Sequence, residues 1–196
     1  MSLFLQRWWH RDEEQRLAAA LQRCQGKVNR GLQRRLCRLE AIALARLLIG
    51  VWPRLGEDVR KELVDLAGEE GFINAWLQAL ERGRAGARAA AAAILGAMGI
   101  SRALAPLLAA LEDRDEGVQM AAAAALARLR DPRCLQPLLA ALEAPRSFPP
   151  ARVAEVIQAL GPASIPPLLD LLAKGPEEVS VRVINILGLF KDDRVP

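Results

Sequence analysis

The chain reads as an all-α solenoid, a stack of antiparallel helix pairs, and three observations carry that reading. Ala and Leu dominate a 196-residue sequence that has no Tyr and few β-branched residues before its last twenty positions. Ala, Leu, Arg, Gln and Glu lose little on entering a helix, so the composition favours helices throughout. A block of sequence then recurs at a fixed spacing, the signature of a stacked array. Within each block the apolar residues fall three and four apart, which gives a helix one apolar face.

The repeat is clearest in two stretches. "ALAPLLAALED" begins at Ala103 and "CLQPLLAALEA" at Cys134. Pro106 matches Pro137, Leu107 and Leu108 match Leu138 and Leu139, and Leu111-Glu112 matches Leu142-Glu143, always at an offset of 31. One period earlier lie Leu77, Leu80 and Glu81, and "IPPLLDLLA" at Ile165 follows at an offset of 30.

Each period holds two helical segments. The first is Ala-rich: from Gly117 to Arg130, Val118, Ala121, Ala122, Ala125, Leu126 and Leu129 share a face. The second starts near a proline, which suits a first turn where the missing N–H has no partner to lose. Asp113 and Asp115 are candidate caps for the helix that follows them. In "GPEEVSVRV" Gly175 ends one helix, and Pro176, Glu177 and Glu178 open the next. Neither segment can bury its apolar stripe alone, so neighbouring units stabilise one another by stacking.

The units "ILGAMGISRALAPLLAALED", "ALARLRDPRCLQPLLAALEA", "ALGPASIPPLLDLLA" and "ILGLFKDDRVP" resemble HEAT-like repeats, of the short type found in phycobilisome lyases. The resemblance covers residues 57–196, loosely in "EDVRKELVDLAGEEGFINAWLQALE" and clearly from Arg84 onward. It implies a right-handed superhelix and a scaffold or adaptor that binds a protein partner, with no catalytic residue carried over. One rival is a bilin-lyase-like chromophore attachment subunit. Another is a nucleic-acid-binding domain like the HEAT-like DNA glycosylases, which need a catalytic Asp beside aromatic residues in a basic groove. Here the aromatic residues cluster away from the repeats, and residues 61–196 carry fifteen basic against seventeen acidic residues.

That alignment bears on the carboxyl end. A shift of 61 places Leu126 on Leu187, Asp131 on Asp192 and Arg133 on Arg194, so the last repeat reads as truncated. The chain is expected to be part of something longer. Val181, Ile184, Leu187 and Phe190 are expected to lie partly uncovered and to offer a surface for self-association.

Residues 1–56 do not follow the repeat and form a basic helical cap or membrane-proximal segment. Met1 to Arg60 holds twelve Arg or Lys against six Asp or Glu, a net of +6. Arg23, Lys27, Arg30, Arg34 and Arg38 are spaced as one helical face, with Arg35 beside them and no acid from Arg23 to Leu39. Such a strip suits the phosphates of an anionic membrane surface or of nucleic acid. The competing reading is a solvated helix face whose Arg stems cover apolar neighbours. In "FLQRWWHR", Trp8 and Trp9 beside Arg7, His10 and Arg11 form a membrane-interface pattern or an aromatic cap. Trp52 and Trp76 sit among apolar residues and read as core.

Arg102, Arg133 and Arg194 occupy one repeat position, a candidate partner-binding edge. The structural alternative is an Asp-x-Arg turn in which Asp caps and Arg bonds to the neighbouring unit. "GRAGAR" at Gly83 lacks the Lys-Ser/Thr of a phosphate loop and reads as a turn.

Catalytic chemistry is not expected. His10 is the only histidine, so neither a Cys/His metal site nor a His-based triad forms within one chain. Cys24, Cys37 and Cys134 are odd in number and have no CxxC spacing, which argues for a reducing compartment. No uncharged run reaches the ~18 residues of a membrane span. The excess of Arg over Lys reads as the coding bias of a GC-rich bacterial genome. The expected setting is cytoplasmic, with any membrane tether lying upstream, and neither cofactor nor metal is expected.

Overall fold

Two local devices shape the helix ends, one at a few positions and the other at a fixed interval. One is the cap: the Asp115 carboxylate accepts from the Val118 N–H at 3.2 Å and opens a helix. The other is an abrupt helix end. Gly99, Arg130 and Gly161 all have positive φ (69°, 47° and 82°), at intervals of 31 residues. Each is followed by a short 3-10 turn (Ser101–Ala103, Pro132–Cys134, Pro162–Ser164) that swings the chain into the next helix. At Pro162–Ser164 the change of direction is 114°. Glycine adopts the left-handed conformation freely; Arg130 does so at a cost of roughly 1 kcal/mol.

The computed structural model describes residues 3–24, 27–143 and 149–190, with side chains from residue 12 onward. Among these the regular structure is helical: α1 (Leu3–Arg23), α2 (Arg30–Leu36), α3 (Ala41–Val51), α4 (Glu57–Glu69), α5 (Phe72–Arg82), α6 (Ala85–Ala97), α7 (Leu104–Ala110), α8 (Glu116–Leu129), α9 (Leu135–Glu143), α10 (Pro150–Leu160), α11 (Ile165–Lys174) and α12 (Glu177–Leu187). No single described helix is long and apolar enough to cross a membrane.

The helices form two rows. In the first, α3, α6, α8, α10 and α12 pack each upon the next. In the second, α5, α7, α9 and α11 each pack against the first-row helix that follows them in sequence. The tight hairpins are therefore α5–α6, α7–α8, α9–α10 and α11–α12, and the 3-10 turns are corners between them. One apolar cluster runs from Leu17 to Leu187 without a break. The all-α solenoid read from the repeat is the fold observed.

The first row extends further toward the amino end than the 31-residue period shows. Helix α3 lies against α6 and ends in its own 3-10 corner, Trp52–Arg54. The whole of α4 is interposed before α5, so no constant offset aligns α3 with the later units. Trp76, fully buried on α5, donates its indole N–H to the Ala41 carbonyl at 2.7 Å and ties α5 to the start of α3. Trp52 is also core.

The tightest contact of the row is between α6 and α8. Gly96 faces Ala125 so closely that a Cβ at position 96 would stand 2.4 Å from the Ala125 Cα. Ala91, Ala92, Ala122 and Ala123 are fully buried around that contact. Ala123 was not among the expected core positions of α8; it is buried because α8 is covered on both flanks, by α6 and α10.

At the carboxyl end, Val181 and Ile184 are exposed (62% and 55%) and Phe190 is half-buried, in line with the sequence expectation. Leu187 departs from it, being 1% exposed. It continues the inner stripe Val179, Val183, Ile186 of α12, as its alignment with the fully buried Leu126 requires. Residues 191–196, including Asp192 and Arg194, lie outside the described residues.

Replacing Gly96 by Ala is expected to destabilise the protein by about 1–3 kcal/mol, because backbone rather than a flexible side chain must move. Thermal unfolding followed by circular dichroism would show a drop of about 2–4 °C per kcal/mol for a chain of this size. An unchanged melting temperature would mean that the two helices separate at no cost.

Candidate functional site

The exposed face of the second row mixes small residues with polar ones such as Gln78 and Gln136. Ala105 and Ala109 on α7, and Pro137 and Ala140 on α9, are solvent-facing, Ala109 and Ala140 at the same repeat position. Two grooves cross this face. The larger, about 790 Å³, lies between α5 and α7, with Leu80, Pro106 and Ala109 along it and Glu81 and Glu112 among its polar residues. A smaller one of about 280 Å³ lies between α9 and α11, where Leu139, Pro167 and Leu171 accompany Glu143 and Asp170. Glu81, Glu112 and Glu143 are one residue of the repeat, each at the carboxyl end of a second-row helix. That is the end where the helix dipole disfavours a negative charge.

Beside the larger groove sits an ion pair. Arg88, at the start of α6, donates through Nε and Nη2 to the two carboxylate oxygens of Asp113 at 2.6 and 2.7 Å. Its Nη1 donates to the Gly83 carbonyl at 2.8 Å. Asp113 also accepts from the Asp115 N–H at 2.9 Å, while its carbonyl accepts from the Gln119 side chain at 2.6 Å. The pair thus fastens the α5–α6 turn to the α7–α8 turn, and both side chains are largely covered (16% and 13% exposed). The hydrogen bond from Arg88 is the main cause that holds the Asp113 carboxyl below its ordinary range. Asp113 is therefore not a helix cap; Asp115 caps α8, and Asp113 anchors the turn. Arg88 was not singled out from the sequence, where it appears only as the last residue of "GRAGAR". The signal available was an Arg in the first turn of one helix and an Asp 25 residues on, at the next turn along the same edge.

The Arg row is divided in its bonding. Arg102 reaches back to the preceding unit and donates to the Asn74 side-chain oxygen at 2.7 Å. Arg133 folds onto its own turn and pairs with Asp131 at 2.5 Å. Asp131 also accepts from the Arg133 backbone N–H, and these bonds from Arg133 hold its pKa down to about 2. Arg194, the third member, lies outside the described residues. Next to Asp131, the buried Cys134 directs its thiol to the Asp131 carbonyl at 2.8 Å, and burial pushes its pKa up to about 11. That thiol is a packing group and not a nucleophile.

The basic amino-terminal strip is not one helical face. Helix α1 ends at Arg23, and a new helix opens at Asn29, whose side chain accepts from the Leu32 N–H at 2.8 Å. Between them Glu62 of α4 accepts from the Val28 N–H at 2.6 Å and from the Gln33 side chain at 2.9 Å, which pins the crossing. The cap and the Glu62 bridge break the helix that the four-three-four spacing implied. Arg23, Lys27, Arg30, Arg34, Arg35 and Arg38 are nonetheless all exposed. Arg35 is committed to Glu13 through two bonds of 3.0 and 2.7 Å. Helix α1 contains Trp8, Trp9 and His10, whose side chains lie outside the described ones.

Among the described residues no group of His, Cys, Asp and Glu is placed to hold a metal ion. Every buried side-chain nitrogen and oxygen among the described residues has a hydrogen-bond partner. The described cysteines are free thiols.

Two rows of helices joined by hairpins and 3-10 corners, over one continuous core, define an α-solenoid. Within that class, residues 73–161, just under half of the sequence and spanning α5 through α10, match the family model described as HEAT repeats. A search of curated proteins found no match. HEAT repeats generally mediate protein–protein interaction and are typically non-enzymatic.

Asp113→Asn is expected to lower the melting temperature at pH 7 by about 2–4 °C. Because the Asp113 pKa is depressed on folding, its contribution is complete above the ordinary value of 3.8 and is lost as pH falls through the folded value. The gap between Asp113→Asn and the parent should therefore close as pH falls below 3.8. A gap that persists at the same size to pH 2 would show that the charge of Asp113 is not what holds the turns together.

Proposed function

We propose that the protein is a non-enzymatic interaction scaffold that receives a protein partner on the exposed face of α5, α7, α9 and α11. The observation that supports this is the pair of grooves on that face, each with an apolar wall beside charged residues of both signs. The exposed Ala and Pro residues of that face have little side-chain entropy to lose on binding, and the helices beneath them are held by the core. A photo-crosslinking residue placed at Ala109 or at Ala140 tests the reading, with Met120, exposed on α8, as the comparison site. Discrete adducts of the same mass from positions 109 and 140, absent from position 120, are expected in extracts of the native cells. Adducts formed equally from all three positions, or only from position 120, would remove the second-row face from consideration.

A second reading attaches to the amino end, where Arg30 and Arg34 are exposed on α2 without an ion-pair partner among the described residues. We propose that these cations add affinity for anionic surfaces. The double change Arg30→Glu, Arg34→Glu leaves the Arg35–Glu13 pair in place and should abolish retention on phosphatidylglycerol vesicles at low salt. Retention unaffected by the double change, or none by the parent protein, refutes it.

A further inference from the structure

Away from the second-row face, a hollow of about 530 Å³ opens where the Trp52–Arg54 corner meets the end of α6 and the last turn of α8. Ile49, Trp52, Pro53 and Met98 supply its apolar surface. Its charged residues are Arg60 and Arg128, and no carboxylate lines it.

The two arginines differ in setting and agree in being uncompensated. Arg60 donates from Nε to the Trp52 carbonyl and from Nη2 to the Pro53 carbonyl, each at 3.1 Å. These acceptors are neutral, so they fix the guanidinium without cancelling its charge, and its other N–H groups remain available. Arg128 is exposed and makes no ion pair or hydrogen bond among the described residues.

Neither cation is required by the stacking of the repeats. Positions 31 residues before and after Arg128 are Ala97 and Ala159, so neighbouring units place a methyl group there. Arg60 belongs to α4, the helix interposed between α3 and α5. Gly96 and Gly99 also line the hollow, and Gly99, with nothing within 4 Å of where a Cβ would stand, adds no side chain to it.

An apolar cup lined by two arginines and no carboxylate suits a carboxylate that arrives beside a bulky apolar group. Its volume falls in the range of about 300–1,000 Å³ that seats a small ligand or a few side chains. A nucleic-acid strand wants a line of cations along its phosphates instead of two over an apolar floor. We propose that this hollow is a second binding site, which takes an acidic segment of a protein partner: an aromatic or large aliphatic side chain on Trp52 and Met98, and an adjacent Asp or Glu between Arg60 and Arg128. It lies apart from the second-row grooves and stands or falls independently of them.

The test uses the full chain and the peptide acetyl-Asp-Glu-Phe-Glu-Asp-amide, with acetyl-Asn-Gln-Phe-Gln-Asn-amide as its neutral counterpart. Binding is read from the Trp52 indole N–H resonance. Arg128→Ala is the informative variant, because it restores the residue that the adjacent units carry and leaves the fold unchanged. The acidic peptide is expected to shift the Trp52 signal saturably, the neutral one not to, and Arg128→Ala to weaken binding by about tenfold or more, as expected for a charge-assisted hydrogen bond. Any of three results overturns the proposal: no shift up to millimolar peptide, equal binding of the neutral peptide, or equal affinity in Arg128→Ala. Arg128-dependent binding of a short DNA duplex or of phosphatidylglycerol vesicles in preference to the peptide overturns it as well.

Discussion

Gly96 and Ala125 meet with no room for a methyl group between them, and the first row is set by that approach. Small residues on α6 and α8 bring two backbones close, so their carbonyl and Cα groups pack directly and little apolar side chain is needed to fill the gap. Once α6 and α8 are fixed, the hairpins place α5 and α7 over them, and the second-row face follows from the first-row spacing. Further along, the position of Ala92 and Ala123 stays Ala154 on α10 and becomes Ile184 on α12. An isoleucine there cannot repeat the approach that alanine permits.

The charges are sorted by the same geometry. Second-row helices end, and first-row helices begin, at the hairpin edge, where Glu81, Glu112, Asp113, Asp115, Glu116, Glu177 and Glu178 collect. First-row helices end at the corner edge, where Arg54, Arg60, Arg102, Arg128, Arg130 and Arg133 collect. Acids at helix starts such as Asp115, Glu116, Glu177 and Glu178 are favoured by the dipole, as are cations such as Arg128 in a last turn. Glu81, Glu112 and Glu143 are not, since they close helices instead of opening them. The net charge of −2 over residues 61–196 therefore averages an acid-rich hairpin edge, which also holds Arg82, Arg84, Arg88 and Arg114, with a corner edge where Arg102, Arg128, Arg130 and Arg133 outnumber Asp131.

How much of this was legible in the sequence depends on whether a residue obeys the period. The Pro-Leu-Leu element and the buried Leu107, Leu111, Leu138 and Leu142 all do, and each is where the repeat puts it; the cap at Asp115 was read from its residue type, since the period puts Arg84 one unit earlier. The 3-10 corners were missed because three residues leave no periodic trace; the positive-φ positions that precede them hold Gly, Arg and Gly, and the Arg hides the pattern. The Arg88–Asp113 pair was missed because it joins two turns across a helix. The basic strip was misread as a single helix because a side-chain cap at Asn29 and a bridge from Glu62, 29 residues beyond Gln33, decide where α1 and α2 part.

The interposed α4 shows why departures from the period carry the most information here. A helix that merely lengthened the stack would add a unit to both rows. Helix α4 instead packs on α5, reaches the amino-terminal crossing through Glu62, and brings Arg60 to the carbonyls of the Trp52–Arg54 corner. Each of these contacts ties the residues before the repeats to the residues within them, which is why the apolar cluster continues through the place where the repeat pattern stops. A repeat builds a row that any neighbour of the same shape can extend; the features that distinguish one row from another must come from residues the stacking does not demand. In this chain those residues, Arg60 and Arg128, line one hollow at the boundary between the periodic part and the rest.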